Sequence, residues 1–205
     1  LPSVRAMPDI SVIGPMARSA QDLRTALNLL AGPNPIAARG YKLNMPDLGL
    51  RKLSDLRIGI WRSAENFPVA KDVEARVDLV TSALRDAGAQ IDESSRPGFE
   101  TQESHRIYQH LLHATMASRM PDENYSTLVE HVKDLNQEDD SEAARVFRSQ
   151  VSSFRDWSAA NEARHKLRWA WHEYFADFDA LIMPIMPTAA FAHDHRPFGE
   201  RTILV

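Results

Sequence analysis

Apolar positions along this chain recur at helical or strand spacing over most of its length. Leu23, Ala26, Leu27 and Leu30 stand at i, i+3, i+4 and i+7, which predicts one apolar helical face. Ser19 and Asp22 form the Ser-x-x-acid pattern that satisfies free N–H groups at a helix start. Gly32 is expected as a left-handed cap, and Pro33 stops the helix. Residues 33–52 lack periodicity and hold Pro33, Pro35, Gly40, Pro46 and Gly49, so they read as an irregular connection of the kind often found near functional regions. Leu56 to Trp61 alternates like a half-buried strand. A helix from about Lys71 to Ala87 follows, with Val73, Val77, Val80 and Leu84 as its inner stripe and Gly88 at its end. Ala89-Gln-Ile91 is a second short strand. Strand, helix and strand make a βαβ unit, which implies parallel strands joined by a right-handed crossover.

From Thr101 to about Asp177 the character changes. Glycine is absent from Thr101 through Ala192, charges alternate in sign, and apolar spacing is helical. The pattern predicts helices near Glu103–Met120 and Ser126–Asn136, then a long helical stretch from about Ser141. In that stretch Phe147, Val151 and Phe154 share one face, and Leu167, Trp171, Tyr174 and Phe178 another. Periodicity allows one long helix or two broken near Ser158. Asp179 to Pro184 reads as a buried strand leaving the helix directly.

Composition narrows the class. A chain of 205 residues with 43% hydrophobic residues can build a real core. The formal net charge of −4 argues against nucleic-acid binding, which needs a basic surface. Cysteine is absent, which excludes disulfides, thiolate metal sites and a cysteine nucleophile, and suits a cytoplasmic setting. Leu1 to Ile10 has no signal-peptide pattern, and the apolar run Ala180 to Ala192 is too short for a bilayer and carries Pro184 and Pro187. No membrane association is expected.

Three segments, in order, carry a resemblance. Ile13-Gly-Pro-Met-Ala-Arg-Ser-Ala-Gln-Asp-Leu23 is similar to the junction after the catalytic core of amidase signature hydrolases. Leu56–Trp61 with its valine-striped helix fits the segment that follows there. Trp171 to Phe178, then Asp179-Ala-Leu-Ile-Met-Pro-Ile-Met-Pro-Thr188, resembles the family's aromatic helix end, "DFDALL" strand and "TPTAPT"-like loop, with Met183 and Met186 in place of smaller residues; His193-Asp194 suits the loop beyond. The resemblance implies an α/β fold with a parallel-leaning mixed sheet, a βαβ unit and a large helical insertion. It divides the partial domain 1–205 into an α/β part (1–100), a helical layer (101–178) and a strand and loop (179–205), with Arg201 to Val205 starting a further strand. It implies an amidase parent that cleaves a carbon–nitrogen amide bond through a serine ester, using a lysine base relayed by a second serine and no metal or organic cofactor. In the family those three residues precede the Gly14-Pro15 junction, so an inactive internal piece, cut at both ends, is expected.

The chain's own side chains agree with that expectation. No two glycines stand two apart, which excludes a Gly-x-Gly phosphate loop and a Gly-x-Ser-x-Gly elbow. The pairs Ser94-Ser95 and Ser152-Ser153 lack adjoining glycines, and the second pair falls inside a predicted helix. A lysine base needs burial, and Lys42, Lys52, Lys71, Lys133 and Lys166 all stand in charged or loop contexts. His193-Asp194-His195 and the His110, His113 pair lack the spacing of a complete zinc site, so no metal is expected. The arginines Arg145, Arg148, Arg155, Arg164 and Arg168 alternate with acids and read as a solvated face. Trp157, Trp169, Trp171, Tyr174 and Phe175 read as packing. The substrate-binding candidates are Met186, Pro187 and Thr188 on the loop after a strand, with Tyr108 and His113 on the first helix of the layer. Two other readings stand beside the amidase: a non-catalytic partner-binding domain, and an amidotransferase-type subunit working with a transfer RNA enzyme. Uncovered sheet edges predict self-association of the isolated chain.

Overall fold

The computed structural model describes residues 9–46, 49, 51–197 and 200–203. The chain forms two compact units, residues 1–50 and 51–205. In the first, helix α1 spans Ala20–Leu30, and the Ser19 hydroxyl accepts the Asp22 N–H at 3.1 Å, as the capping pattern predicts. Its apolar stripe is not buried: Leu27 is 50% and Leu30 71% exposed. Gly32 does not adopt the left-handed conformation; Ala31 ends the helix in extended backbone. The residue before a proline is driven towards extended conformations, and Gly32 precedes Pro33.

The second unit holds the sheet. Strands β1 (Arg57–Ile60), β2 (Gln90–Asp92) and β3 (Ala180–Ile182) run parallel in the order β2-β1-β3. Helix α2 (Lys71–Asp86) connects β1 to β2, and Gly88 at φ 88° closes its C-terminal turn, a conformation that only glycine adopts without cost. Side chains alternate along a strand, so Ile58 and Ile60 point to one face and Gly59 to the other. Ile58 and Ile60 pack with Val77, Ala89 and Leu84 under α2. Gly59 faces the hydroxyl of Tyr174 so closely that a Cβ there would lie 1.8 Å from it. The sheet is thus sandwiched between α2 and the helix that carries Tyr174.

The inner stripe of α2 departs from expectation at one position. Val80 is 44% exposed, and Thr81 is buried in its place. The Thr81 hydroxyl donates to the Val77 carbonyl at 2.7 Å, which removes the penalty of burying it.

Four helices form the second layer: α3 (Thr101–Ala117), α4 (Asp122–Asp134), α5 (Glu142–Gln150) and α6 (Phe154–Asp177). α3 packs on both α5 and α6, burying Ile107, Leu111, Ala117 and Ala144. The long helical stretch is broken at residues 151–153, not near Ser158, so Ser152-Ser153 lies between helices and not within one. Ser153 caps α6 by accepting the Asp156 N–H at 3.1 Å; this local side-chain bond competes with continued helix. The break also turns Phe154 away from Phe147 and Val151, leaving it 82% exposed. β3 follows α6 after two residues, and Asp179 fixes its register. The Asp179 carboxylate accepts the Arg57 N–H at 2.8 Å while its own N–H donates to the Arg57 carbonyl at 2.8 Å. Arg51 adds a contact at 2.5 Å, and these donors hold the carboxyl below its usual range. The further strand expected over Arg201 to Val205 falls partly outside the described residues; 201–203 are irregular. No helix among the described residues is long and apolar enough to cross a membrane.

Candidate functional site

In open parallel sheets the carboxyl ends of the strands and the loops beyond them form the natural crevice. β1 runs straight into Trp61, and β3 into Met183-Pro-Ile-Met-Pro187. The two exits are joined: the Trp61 N–H donates to the Ile182 carbonyl at 2.9 Å, and the Ala70 N–H, at the start of α2, donates to the Pro187 carbonyl at 2.8 Å. Prolines 184 and 187 cannot donate to a ladder, so the chain leaves the sheet here and forms a wall. A groove of about 600 Å³ opens at this edge.

Its lining is mainly apolar. Trp61, Phe67, Phe99 and Trp171 form much of it, with Met183 and Met186 on the loop side. Trp171 organises the aromatic group, with ring centroids 6.4 Å from Trp61, 5.6 Å from Phe99 and 5.8 Å from Tyr174. Helix α3 contributes Thr101, Ser104, His105 and Tyr108, one face at i, i+3, i+4 and i+7. The His105 ring meets the Phe67 ring edge-on at 5.1 Å. Arg62 reaches the rim with its charge already engaged. It donates to Asp78 and Glu93, both at 2.6 Å, which raises its own pKa and, with Arg85, lowers that of Glu93. The lining therefore offers the hydroxyls of Ser63, Thr101 and Ser104, the Asn66 amide, one imidazole and a phenol against an apolar wall. This suits a ligand with an apolar body and a few polar atoms.

Tyr108, Met186 and Pro187 line this groove together; Thr188 and His113 are not among its lining residues. His113 is partly buried, and its Nδ1 has no hydrogen-bond partner among protein groups. Periodicity assigns Trp61 to a strand and Trp171 to packing and says nothing of Phe99, yet all three form the groove's walls. The usable signal for Trp61 is its position directly after a parallel strand.

Other candidate side chains have structural partners. Asp92, at the end of β2, accepts the N–H groups of Ser94 and Ser95 at 2.8 and 2.9 Å and the Ser94 hydroxyl at 3.0 Å, which lowers its pKa and makes the serine pair part of a turn. Asp194, between His193 and His195, is bound by Arg196 at 2.6 Å, and the two imidazole centroids lie 6.1 Å apart. No group of three or more His, Asp or Glu side chains among the described residues is placed to hold a metal ion. All five lysines are solvent-exposed.

A second cavity, of about 490 Å³, lies between α3, α5 and the start of α6. It contains Arg106, His110, Arg145, Ser149, Ser152 and Asp156. His110 Nε2 is 3.0 Å from the Ser152 hydroxyl, and its Nδ1 is 3.3 Å from that of Ser149. Burial pushes the His110 pKa down, against an opposing pull from Asp156.

Known proteins resemble this sequence. A 209-residue alignment is 26% identical to a glutamyl-tRNA(Gln) amidotransferase subunit from Roseiflexus sp. (strain RS-1), covering 91% of this chain and 42% of that protein. The corresponding subunit from Roseiflexus castenholzii is 27% identical with the same coverage. That from Deinococcus radiodurans is 39% identical over 94 residues, which is 43% of this chain and 18% of the relative. The chain thus spans about two fifths of the length of the first two relatives. The amidase family model matches residues 2–202, nearly the whole sequence, and with the order of motifs and the parallel α/β unit this places the chain in the amidase family.

Proposed function

We propose that this chain forms the substrate-side wall of an enzyme that hydrolyses carbon–nitrogen amide bonds, with the groove at the strand ends receiving the apolar part of the substrate. The observation that carries this reading is the joint lining of one apolar groove by Tyr108, Met186 and Trp171 at the carboxyl ends of β1 and β3, in a member of the amidase family. The chemistry is acyl transfer to a serine and then to water, without metal or organic cofactor. The groove supplies orientation: holding the acyl or amine portion fixed converts a bimolecular attack into one within a complex. The 205-residue chain by itself supplies no amide-cleaving base of the family's kind, since a lysine base needs burial and all five lysines are exposed.

The test compares the complete enzyme with the isolated 205-residue chain on a panel of amides graded in apolar bulk. The complete enzyme is expected to favour bulky apolar amides, with the preference reduced by Met186→Ala and Trp171→Ala, while the isolated chain cleaves none. A panel indifferent to both substitutions would remove the groove from the site.

The names of the relatives favour a second reading, in which the chain belongs to an amidotransferase that works as a multi-subunit complex. Glutamine hydrolysis that appears only when glutamyl-tRNA and partner subunits are present would establish it; hydrolysis of apolar amides without any partner would establish the first.

A further inference from the structure

The hydrogen bonds around His110 determine its tautomer. The Ser149 hydroxyl donates to the Arg145 carbonyl at 2.7 Å, so its oxygen can only accept from the imidazole. Nδ1 therefore carries the proton, leaving the Nε2 lone pair facing the Ser152 hydroxyl at 3.0 Å, nearer than that hydroxyl's other acceptor, the Ser153 carbonyl at 3.3 Å. Nucleophile, base and a group that orients the base are thereby in line, the arrangement that activates a serine hydroxyl. The surroundings favour the negative charge that such a step develops. Ser152 stands just ahead of the N-terminus of the 24-residue helix α6, the positive end of its dipole. Arg145 and Arg148 are held by backbone carbonyls of Asp140, Asp139 and Asn136, and Arg145 also by the Asp140 carboxylate at 3.1 Å, whereas among the described residues Arg106 has a single, looser ion pair with Asp140, at 3.8 Å. Arg106 is therefore a lining guanidinium able to turn towards an oxyanion, beside the buried Arg145 Nε, which has no hydrogen-bond partner among the described protein groups. Asp156 is occupied by the Ser153 hydroxyl at 2.5 Å and does not compete for the imidazole by a hydrogen bond.

We propose that Ser152 is a nucleophilic site for small acyl donors of the ester class, with His110 as its base and Ser149 as the positioning residue, distinct from the groove at the strand ends. The Ser152 oxygen bonds to the acyl carbon as its proton passes to His110 Nε2. The ester C–O bond then breaks, and the leaving alkoxide recovers that proton. Neutral imidazole is required, and burial favours that form against Asp156 on α6; Arg106 on α3 and Arg145 and Arg148 on α5 act in the same direction as burial.

The experiment treats the intact protein with a fluorophosphonate, whose P–F bond breaks as the serine O–P bond forms, and maps the adduct by peptide mass spectrometry. The expected result is an adduct on Ser152, lost in Ser152→Ala and formed at least about tenfold more slowly in His110→Gln, in line with the usual contribution of a general base. Ser149→Ala should slow it as well and change the pH profile, since it frees the imidazole tautomer; a merely structural serine would leave the profile unmoved. Circular dichroism checks that each variant is folded, and Ser152→Ala, which removes one partly exposed hydroxyl, keeps the test open if His110→Gln unfolds. No adduct on Ser152, labelling of Ser152 no faster than that of exposed serines, or a rate indifferent to His110 would overturn the proposal. An adduct on any other serine of a longer enzyme falls on a different peptide and bears only on the amidase reading.

Discussion

The two cavities of the second unit share a helix and differ in almost everything else. One face of α3, with Thr101, Ser104, His105 and Tyr108, looks into the groove at the strand ends; the neighbouring face, with Arg106, Gln109 and His110, looks into the cavity beside α5. Between them Ile107 and Leu111 are buried. The first cavity is walled by aromatic rings that come from four separate segments and opens beyond the ends of β1 and β3. The second is polar, and its critical bonds join α3 to the α5–α6 break. Position on a helix, turned by about 100° per residue, is thus enough to give one element two chemical environments. The two sites should accordingly be separable by mutation.

The largest effect is expected at Gly59, beneath the aromatic groove. A Cβ there meets Tyr174, whose ring stacks on Phe178 at 4.5 Å and cannot swing aside. Gly59→Val is expected to cost about 3 kcal/mol in urea denaturation, near the upper end of ordinary overpacking. Tyr174→Phe in the same background should recover much of that loss, because it removes the contacting oxygen, which is buried without a protein partner. If the two changes are simply additive, the contact is not what requires glycine.

Trp171→Ala should come next, at about 2 kcal/mol from lost aromatic packing, with loss of apolar ligand binding in the first groove. The His110 imidazole resonances should stay in place in this variant; a shift would show the cavities to be coupled. Tyr108 and His113 sharpen the same division. Tyr108 is 51% exposed in the groove, so Tyr108→Ala should alter amide specificity ratios about tenfold with under about 0.5 kcal/mol of stability change. His113→Ala should leave those ratios alone and move the melting temperature. The opposite outcome would return His113 to the site and remove Tyr108.

The smallest effect is on pH dependence. His110 has its pKa lowered from the ordinary value of 6.5, so below that value the unfolded chain binds a proton that the folded chain resists. Stability contributed here is present above pH 6.5 and is lost as pH falls through the folded-state pKa. Melting curves from pH 7.5 down to 5 should therefore decline less steeply in His110→Gln than in the unsubstituted protein. Equal slopes would place the titration elsewhere.

Local patterns were legible where their physics is local. The Ser19 cap, the Gly88 stop, β1 and the glycine-free helical layer each follow from residues within a few positions of one another. Legibility failed where two local solutions were close in energy. On α2 the sequence offered Val80 and Thr81 as neighbours, and Thr81 could be buried once its hydroxyl bonded Val77. At residues 151–153 the side chain of Ser153 competed with helical continuation, and periodicity does not register that bond. Near Pro33, the constraint imposed on Gly32 overrode the usual glycine cap.

By itself, then, the sequence determined the elements, their order and the family, because capping, alternation and motif order are properties of short stretches read along the chain. Only the tertiary structure decided which side chains meet. Trp61, Phe99 and Trp171 enclose one groove because the exit of β1, the segment after β2 and helix α6 meet at the same edge, and His110 meets Ser149 and Ser152 because α3 packs against α5. Such contacts join residues tens of positions apart, and no periodicity within either segment encodes the distance between them.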